Sequence, residues 1–134
     1  MRLTVLLSLL TLMLFAEPIR WYDHYDEAFA AAKKTHKPLM LFLTQPRCGT
    51  CAFMKEKVLS DPAVQSYVRR HFIAAELNAG DAGLPKKYRV KVTPVFTFIN
   101  PGSDEIVEQT VGGKKAPRFL ETLESVIDDW SEQE

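Results

Sequence analysis

Leu39-Met40-Leu41-Phe42-Leu43-Thr44-Gln45-Pro46-Arg47-Cys48-Gly49-Thr50-Cys51 joins an unbroken apolar run to the only two cysteines of the chain. The run from Leu39 to Leu43 suits a central strand covered on both faces. Thr44 to Arg47 then form a short loop that delivers Cys48 to the start of a helix-compatible segment. A sulfur in the first turn of a helix lies near unpaired backbone N–H groups and the positive end of the helix dipole, which favour thiolate over thiol. With two residues between them, the second sulfur folds back one turn onto the first, and the pair can close and reopen as a small ring. The stretch points to redox chemistry on a strand, loop and helix frame.

At 134 residues, 46% of them apolar, the chain suits one compact domain with its own core. Its 17 basic and 17 acidic residues balance, and neither sign forms a long block, which argues against nucleic acid or an anionic membrane surface as partner. Met1-Arg2, the apolar stretch Leu3 to Phe15 broken only by Thr4, Ser8 and Thr11, and then Ala16-Glu17-Pro18 have the layout of a secretory signal peptide. That stretch falls short of the roughly 20 apolar residues a spanning helix needs. The expectation is a leader over residues 1–16, cleaved near Ala16, and an exported, periplasmic domain over residues 17–134 with no stable membrane insertion. Leu14 is larger than the small residue usual before such a cut, so an uncleaved anchor is the alternative, and a buried first helix of a cytosolic protein the third reading. No cysteine near the junction offers a lipid attachment point. In an oxidising compartment a cysteine pair is often a structural staple, but closing so short a loop removes little unfolded-state entropy.

Farther along, Tyr22, Tyr25, Phe29 and Ala32 recur at spacings of three and four, predicting an amphipathic helix over Trp21 to His36 with Asp23 as N-cap and Pro38 as its stop. A helix is expected from Gly49 to Leu59, broken at Ser60-Asp61-Pro62. It restarts with Asp61 as cap, Pro62 in the first helical position, and Val64, Tyr67, Val68 and His71 on one face. Phe72 to Leu77 and Val95 to Ile99 read as strands, and Leu84 to Arg89 as a short helical turn. Asn100-Pro101-Gly102-Ser103 is a hairpin turn into a strand over Glu105 to Val111. After Gly112-Gly113 a closing helix with Pro117 near its start carries Phe119, Leu120, Leu123, Val126, Ile127 and Trp130 on one face. The order describes an α/β fold, a mixed sheet flanked by helices.

Three features converge: the strand, CxxC and helix arrangement, the strand-rich second half, and Val92-Thr93-Pro94 leading directly into Val95-Phe96-Thr97-Phe98. Together they resemble the thioredoxin superfamily, over roughly Trp21 to Trp130, including Leu77-Asn78, Lys87-Tyr88-Arg89-Val90 and Val111-Gly112. The resemblance implies a thioredoxin-like α/β fold whose central mixed sheet has four to five strands. In that family a proline at the place of Pro94 is cis and lies beside the dithiol, turning the backbone at Thr93 outward to pair with an extended client chain. Thr93 and Pro94 are therefore implied to bind substrate. Cys48 is implied to be the exposed attacking thiolate and Cys51 the more buried resolving thiol of a redox-active disulfide. Such exchange needs no cofactor. The implied partners are protein thiols and disulfides, together with a redox protein that resets the pair, and size alone suggests a monomer.

The chain also departs from that family's pattern. Thioredoxins usually carry tryptophan before the first cysteine and an acidic residue in the preceding strand, where this chain has Arg47 and Phe42. Arg47 can favour the Cys48 thiolate by charge or be a solvated loop residue; with Gly49 and Thr50 it is a candidate for tuning the couple. Glu76 falls where thioredoxins commonly have lysine and is a candidate for proton handling, beside the simpler reading of a strand-end surface carboxylate. Met54 to Val64 is similar to exported thioredoxin-like proteins, including the terminal soluble domain of thiol:disulfide interchange proteins, which favours a reductase. Thr93 before the proline resembles disulfide isomerases instead. Isomerase, oxidase and a non-catalytic binding or chaperone module are the alternatives. A c-type haem would need histidine after Cys51, where Ala52 stands. Zinc needs about four ligands, and His24, His36 and His71 lack ligand spacing, so no metal is expected.

Overall fold

The computed structural model describes residues 17–134; the expected leader and its cleavage point lie outside the described residues. The first element is a two-residue strand, β1 (Trp21–Tyr22), followed by α1 (Tyr25–Thr35). This corrects the expectation of one helix from Trp21 capped by Asp23. His24 occupies the N-cap without a side-chain capping bond, and Trp21 and Tyr22 pair in parallel with Ala74 and Ala75. Packing decides it: aromatic side chains suit a pleated surface, and the Trp21 ring lies 6.0 Å from that of Phe42. The expected period holds from Tyr25 onward, where Tyr25, Ala28 and Ala32 are buried, and α1 ends at His36 in the left-handed conformation, two residues before Pro38.

β2 (Leu39–Thr44) leads through the loop to α2, which is α-helical over Gly49–Phe53 and then widens into one π-helical turn over Met54–Val58. The Leu59 N–H closes that turn on the Met54 carbonyl at 2.8 Å. In α3 (Pro62–His71) the expected cap is present: one carboxylate oxygen of Asp61 accepts from the Ala63 and Val64 N–H groups at 3.0 and 3.2 Å, and Pro62 opens the helix. β3 (Ile73–Asn78), a 3-10 turn at Lys86–Tyr88, β4 (Val95–Asn100), β5 (Glu105–Val111) and α4 (Ala116–Glu132) complete the chain.

The five strands lie in the order β1-β3-β2-β4-β5, with β1, β3 and β2 parallel and the remaining pairs antiparallel. β2 has a neighbour on each side and helices over both faces, so every residue from Leu39 to Leu43 is fully buried. Strand alternation sends Met40 and Phe42, with Phe96 and Phe98, toward α2, α3 and α4. Leu39, Leu41 and Leu43 go toward α1 and Tyr88. On the first side Phe42 stacks on Phe96 at 4.6 Å with planes 6° apart, and Phe96 tilts against Phe119 of α4. Trp130, expected in the core, is half-buried and lies outside both clusters, in the last turns of α4.

Candidate redox site

The site grows from the C-terminal end of β2. The loop after Thr44 turns through Arg47, whose φ of 60° lies in the left-handed region. A residue with a side chain held there stores roughly 1–2 kcal/mol, and backbone strain of this kind clusters at functional positions. The turn places Cys48 at the N-cap of α2, where its Sγ accepts a hydrogen bond from the Cys51 N–H at 3.1 Å. Sulfur takes the part that a serine or aspartate oxygen plays in other caps. A negative charge on that sulfur gains from the N–H dipole and from the positive end of the helix. Cys48 is half-buried, whereas Cys51 is 4% exposed and packs among Phe42, Met54 and their neighbours. A disulfide joins the two, with Cα atoms 5.2 Å apart.

Two other segments close around the pair. The Thr93–Pro94 peptide bond is cis, and the Thr93 hydroxyl lies 3.4 Å from Gln45 Oε1, linking the approach to β4 with the loop after β2. Gly112, at a φ of 85°, donates its N–H to the Pro94 carbonyl at 2.9 Å. Gly113 presses on α2: a Cβ there would sit 2.8 Å from Thr50 Cγ2. Next in the chain, the Lys114 N–H donates to Met54 Sδ at 3.4 Å. These contacts bring Arg47, Cys48, Gly49, Thr50, Cys51, Thr93 and Pro94 to one end of the sheet. Phe53, Val92 and Val111, three of the four exposed large apolar residues among the described residues, belong to the same segments.

Glu76 is set apart from this group by its partner. It neighbours Phe42 in register and is ion-paired with Lys55 of the π-helical turn. Gln45, Met54 and Gly113 have parts in the site that the sequence did not announce. The only signal was Gly112-Gly113, which reads as a break rather than as a close approach.

The thioredoxin-like domain family matches residues 25–127 of the chain. The chain belongs to the thioredoxin-like family. One curated relative of this thioredoxin-like domain is the thiol:disulfide interchange protein DsbD 1 of Pseudomonas aeruginosa, 32% identical over 93 residues. That match covers 66% of this chain but 16% of the relative, so the chain corresponds to a small part of it. The solution structure of a thioredoxin from Thermus thermophilus matches with a TM-score of 0.75 at 30% identity, covering 85% of this chain and 91% of that one. The C-terminal domain of DsbD from Neisseria meningitidis, in its reduced form, gives a TM-score of 0.61 at 25% identity over 75% of this chain and 91% of its own. The thioredoxin-like domain thus has the expected α/β architecture, a five-stranded mixed sheet flanked by four helices, and carries a CxxC disulfide.

Proposed function

We propose that the protein is an exported, monomeric thiol-disulfide oxidoreductase that reduces disulfides in other proteins. One observation carries the reading: a half-buried Cys48 Sγ held at a helix start by the Cys51 N–H, with Cys51 itself buried behind it. In the reduced protein Cys48, as thiolate, attacks one sulfur of a client disulfide. The client S–S bond breaks, a Cys48–client bond forms, and the other client sulfur leaves as thiolate. Cys51, on losing its proton, attacks Cys48 Sγ and releases the second client thiolate. Two electrons pass from the dithiol to the client, two protons end on the client thiols, and the Cys48–Cys51 disulfide closes. A partner protein bearing a dithiol supplies the two electrons that reopen it.

Burial of Cys51 gives the order of events, because a client disulfide reaches Cys48 and not Cys51. Arg47, next in the chain, adds a positive charge that favours the Cys48 thiolate, and Gly49 and Thr50 set the geometry between the sulfurs. Thr93 and Pro94, with the exposed Val92 and Val111 beside them, offer a backbone edge along which an extended client can lie. The similarity to a thiol:disulfide interchange protein supports proteins as clients, and the leader-like Met1 to Ala16 supports export.

Reduction of insulin by dithiothreitol tests the reading: the wild-type protein is expected to accelerate precipitation and Cys48→Ser is not. Equal rates would leave a binding or chaperone module. A Cys51→Ser variant is expected to accumulate mixed disulfides with clients. Equilibration with glutathione gives the direction, each 30 mV corresponding to about 1.4 kcal/mol for this two-electron couple.

A further inference from the structure

We infer that the face around the disulfide selects protein clients whose disulfide is flanked by acidic residues; the inference rests on the exchange activity proposed above. The chain as a whole is balanced, with 17 residues of each sign, yet segments 44–53, 89–95 and 110–118 hold six cations and no carboxylate. The cations are Arg47, Arg89, Lys91, Lys114, Lys115 and Arg118. These are the segments that the Gln45–Thr93, Gly112–Pro94 and Gly113–Thr50 contacts bring together at the disulfide.

Their charges are largely uncompensated. Arg89 is committed to the carbonyls of Leu84 and Ala82, and Arg118 pairs with Glu121. The Lys114 ammonium bonds to the Thr110 hydroxyl and lies near the half-buried Glu108 carboxylate, which partly offsets its charge. Arg47, Lys91 and Lys115 are exposed and have no carboxylate partner among the described residues. The loop after β3 adds one acid, Asp81, which accepts from the Gly83 N–H.

α4 supplies an independent argument. Helix stability favours acids at the N-terminal end and bases at the C-terminal end. Here Lys114, Lys115 and Arg118 gather at the start, and Glu121, Glu124, Asp128, Asp129 and Glu132 follow toward the end. Both ends oppose the dipole, so the order of charges has a cause other than the helix itself. A groove of about 480 Å³ begins at the glycine that touches α2 and is lined by Lys114, Lys115 and Arg118 together with one acid, Glu121, the partner of Arg118. With Phe53, Val92 and Val111 exposed beside the disulfide, the face has an apolar centre and a cationic rim, the anatomy of a transient protein interface. An acidic client is steered to such a face, and the effect fades as salt shortens the Debye length from about 10 Å at 0.1 M.

Two peptides of equal length test this, each with one disulfide, flanked in one by Asp and Glu and in the other by Lys. Their exchange with the reduced full-length protein is followed at low and high salt. The acidic peptide is expected to react about tenfold faster at low salt, the gap is expected to collapse at high salt, and Lys91→Glu with Lys115→Glu is expected to reverse the order. Equal rates for the two peptides at low salt, or an order that the double variant leaves unchanged, would overturn the inference while the exchange activity stands. If neither peptide reacts faster with the wild-type protein than with Cys48→Ser, the exchange reading fails and the inference with it.

Discussion

Replacing Gly113 with alanine tests how closely the loop before α4 is fitted to the CxxC helix. The added Cβ would lie 2.8 Å from Thr50 Cγ2, well inside repulsion, while Phe53 Cδ1 at 3.6 Å and Met54 Sδ at 3.8 Å would be ordinary neighbours. Threonine is stiff at χ1, so the clash has two outlets. Thr50 leaves its rotamer well at about 0.5–1.5 kcal/mol, or loop and helix separate at about 1–3 kcal/mol. Against this, Gly113 is not in the left-handed region, so alanine restricts the unfolded chain and returns about 0.4–1 kcal/mol. The net expectation for Gly113→Ala runs from about neutral to a loss of about 2 kcal/mol, according to which outlet the clash takes. In a Thr50→Ser background the offending methyl is gone, and the same change becomes neutral or stabilising by up to about 1 kcal/mol. Urea unfolding of the four oxidised proteins, with unchanged m-values, gives the coupling directly, expected at about 1–2 kcal/mol. A coupling below about 0.3 kcal/mol would refute the reasoning.

Phe42→Ala removes a fully buried ring stacked on Phe96 and is expected to lose about 3–5 kcal/mol in denaturant unfolding; a loss under about 1.5 kcal/mol would show that the layer closes over the gap. Burial, foremost, and the Asp104 carboxylate push the Tyr25 and Tyr88 hydroxyls above the ordinary 10.0. Their neutral forms therefore support the fold fully below pH 10, and that support is lost as pH rises through the folded-state values. Stability is expected to decline above about pH 10, together with late tyrosinate absorbance at 295 nm, and Tyr88→Phe should make the decline shallower. Glu76→Gln, which removes a half-buried partner of Lys55, is expected to lower stability by less than about 1 kcal/mol and to leave the pH profile of exchange in place. A shifted profile would make Glu76 the group that handles the Cys51 proton.

Most strands and helices were legible because burial leaves a pattern in residue type: an unbroken apolar run where both faces are covered, as in Leu39 to Leu43, and a helical period in Phe119, Leu123 and Val126. β1 was not, because two residues carry no period and Tyr22 happens to fall in step with the helix that follows. Its pairing is decided by Ala74, Ala75 and Phe42, remote in sequence. The π-helical turn at Met54–Val58 likewise leaves no mark in residue type. At the site, the cysteines and Pro94 announce themselves by spacing. The close fit of Gly113 against Thr50 does not, since it joins segments some sixty residues apart. The cationic face stayed hidden for a related reason: its charges come from separate segments of a chain whose total is zero.

The position of β2, midway across the sheet, has a consequence for how the molecule breathes. At one margin β1 is two residues long, and at the other β5 is mostly open to water. Local opening starts where contacts are fewest, so deuterium is expected to enter the amides of the two margins first and those of Met40 to Leu43 last. The sulfur pair is thus joined to the strand expected to exchange last, while the Gly112 and Gly113 contacts that close over it come from the end of the open margin.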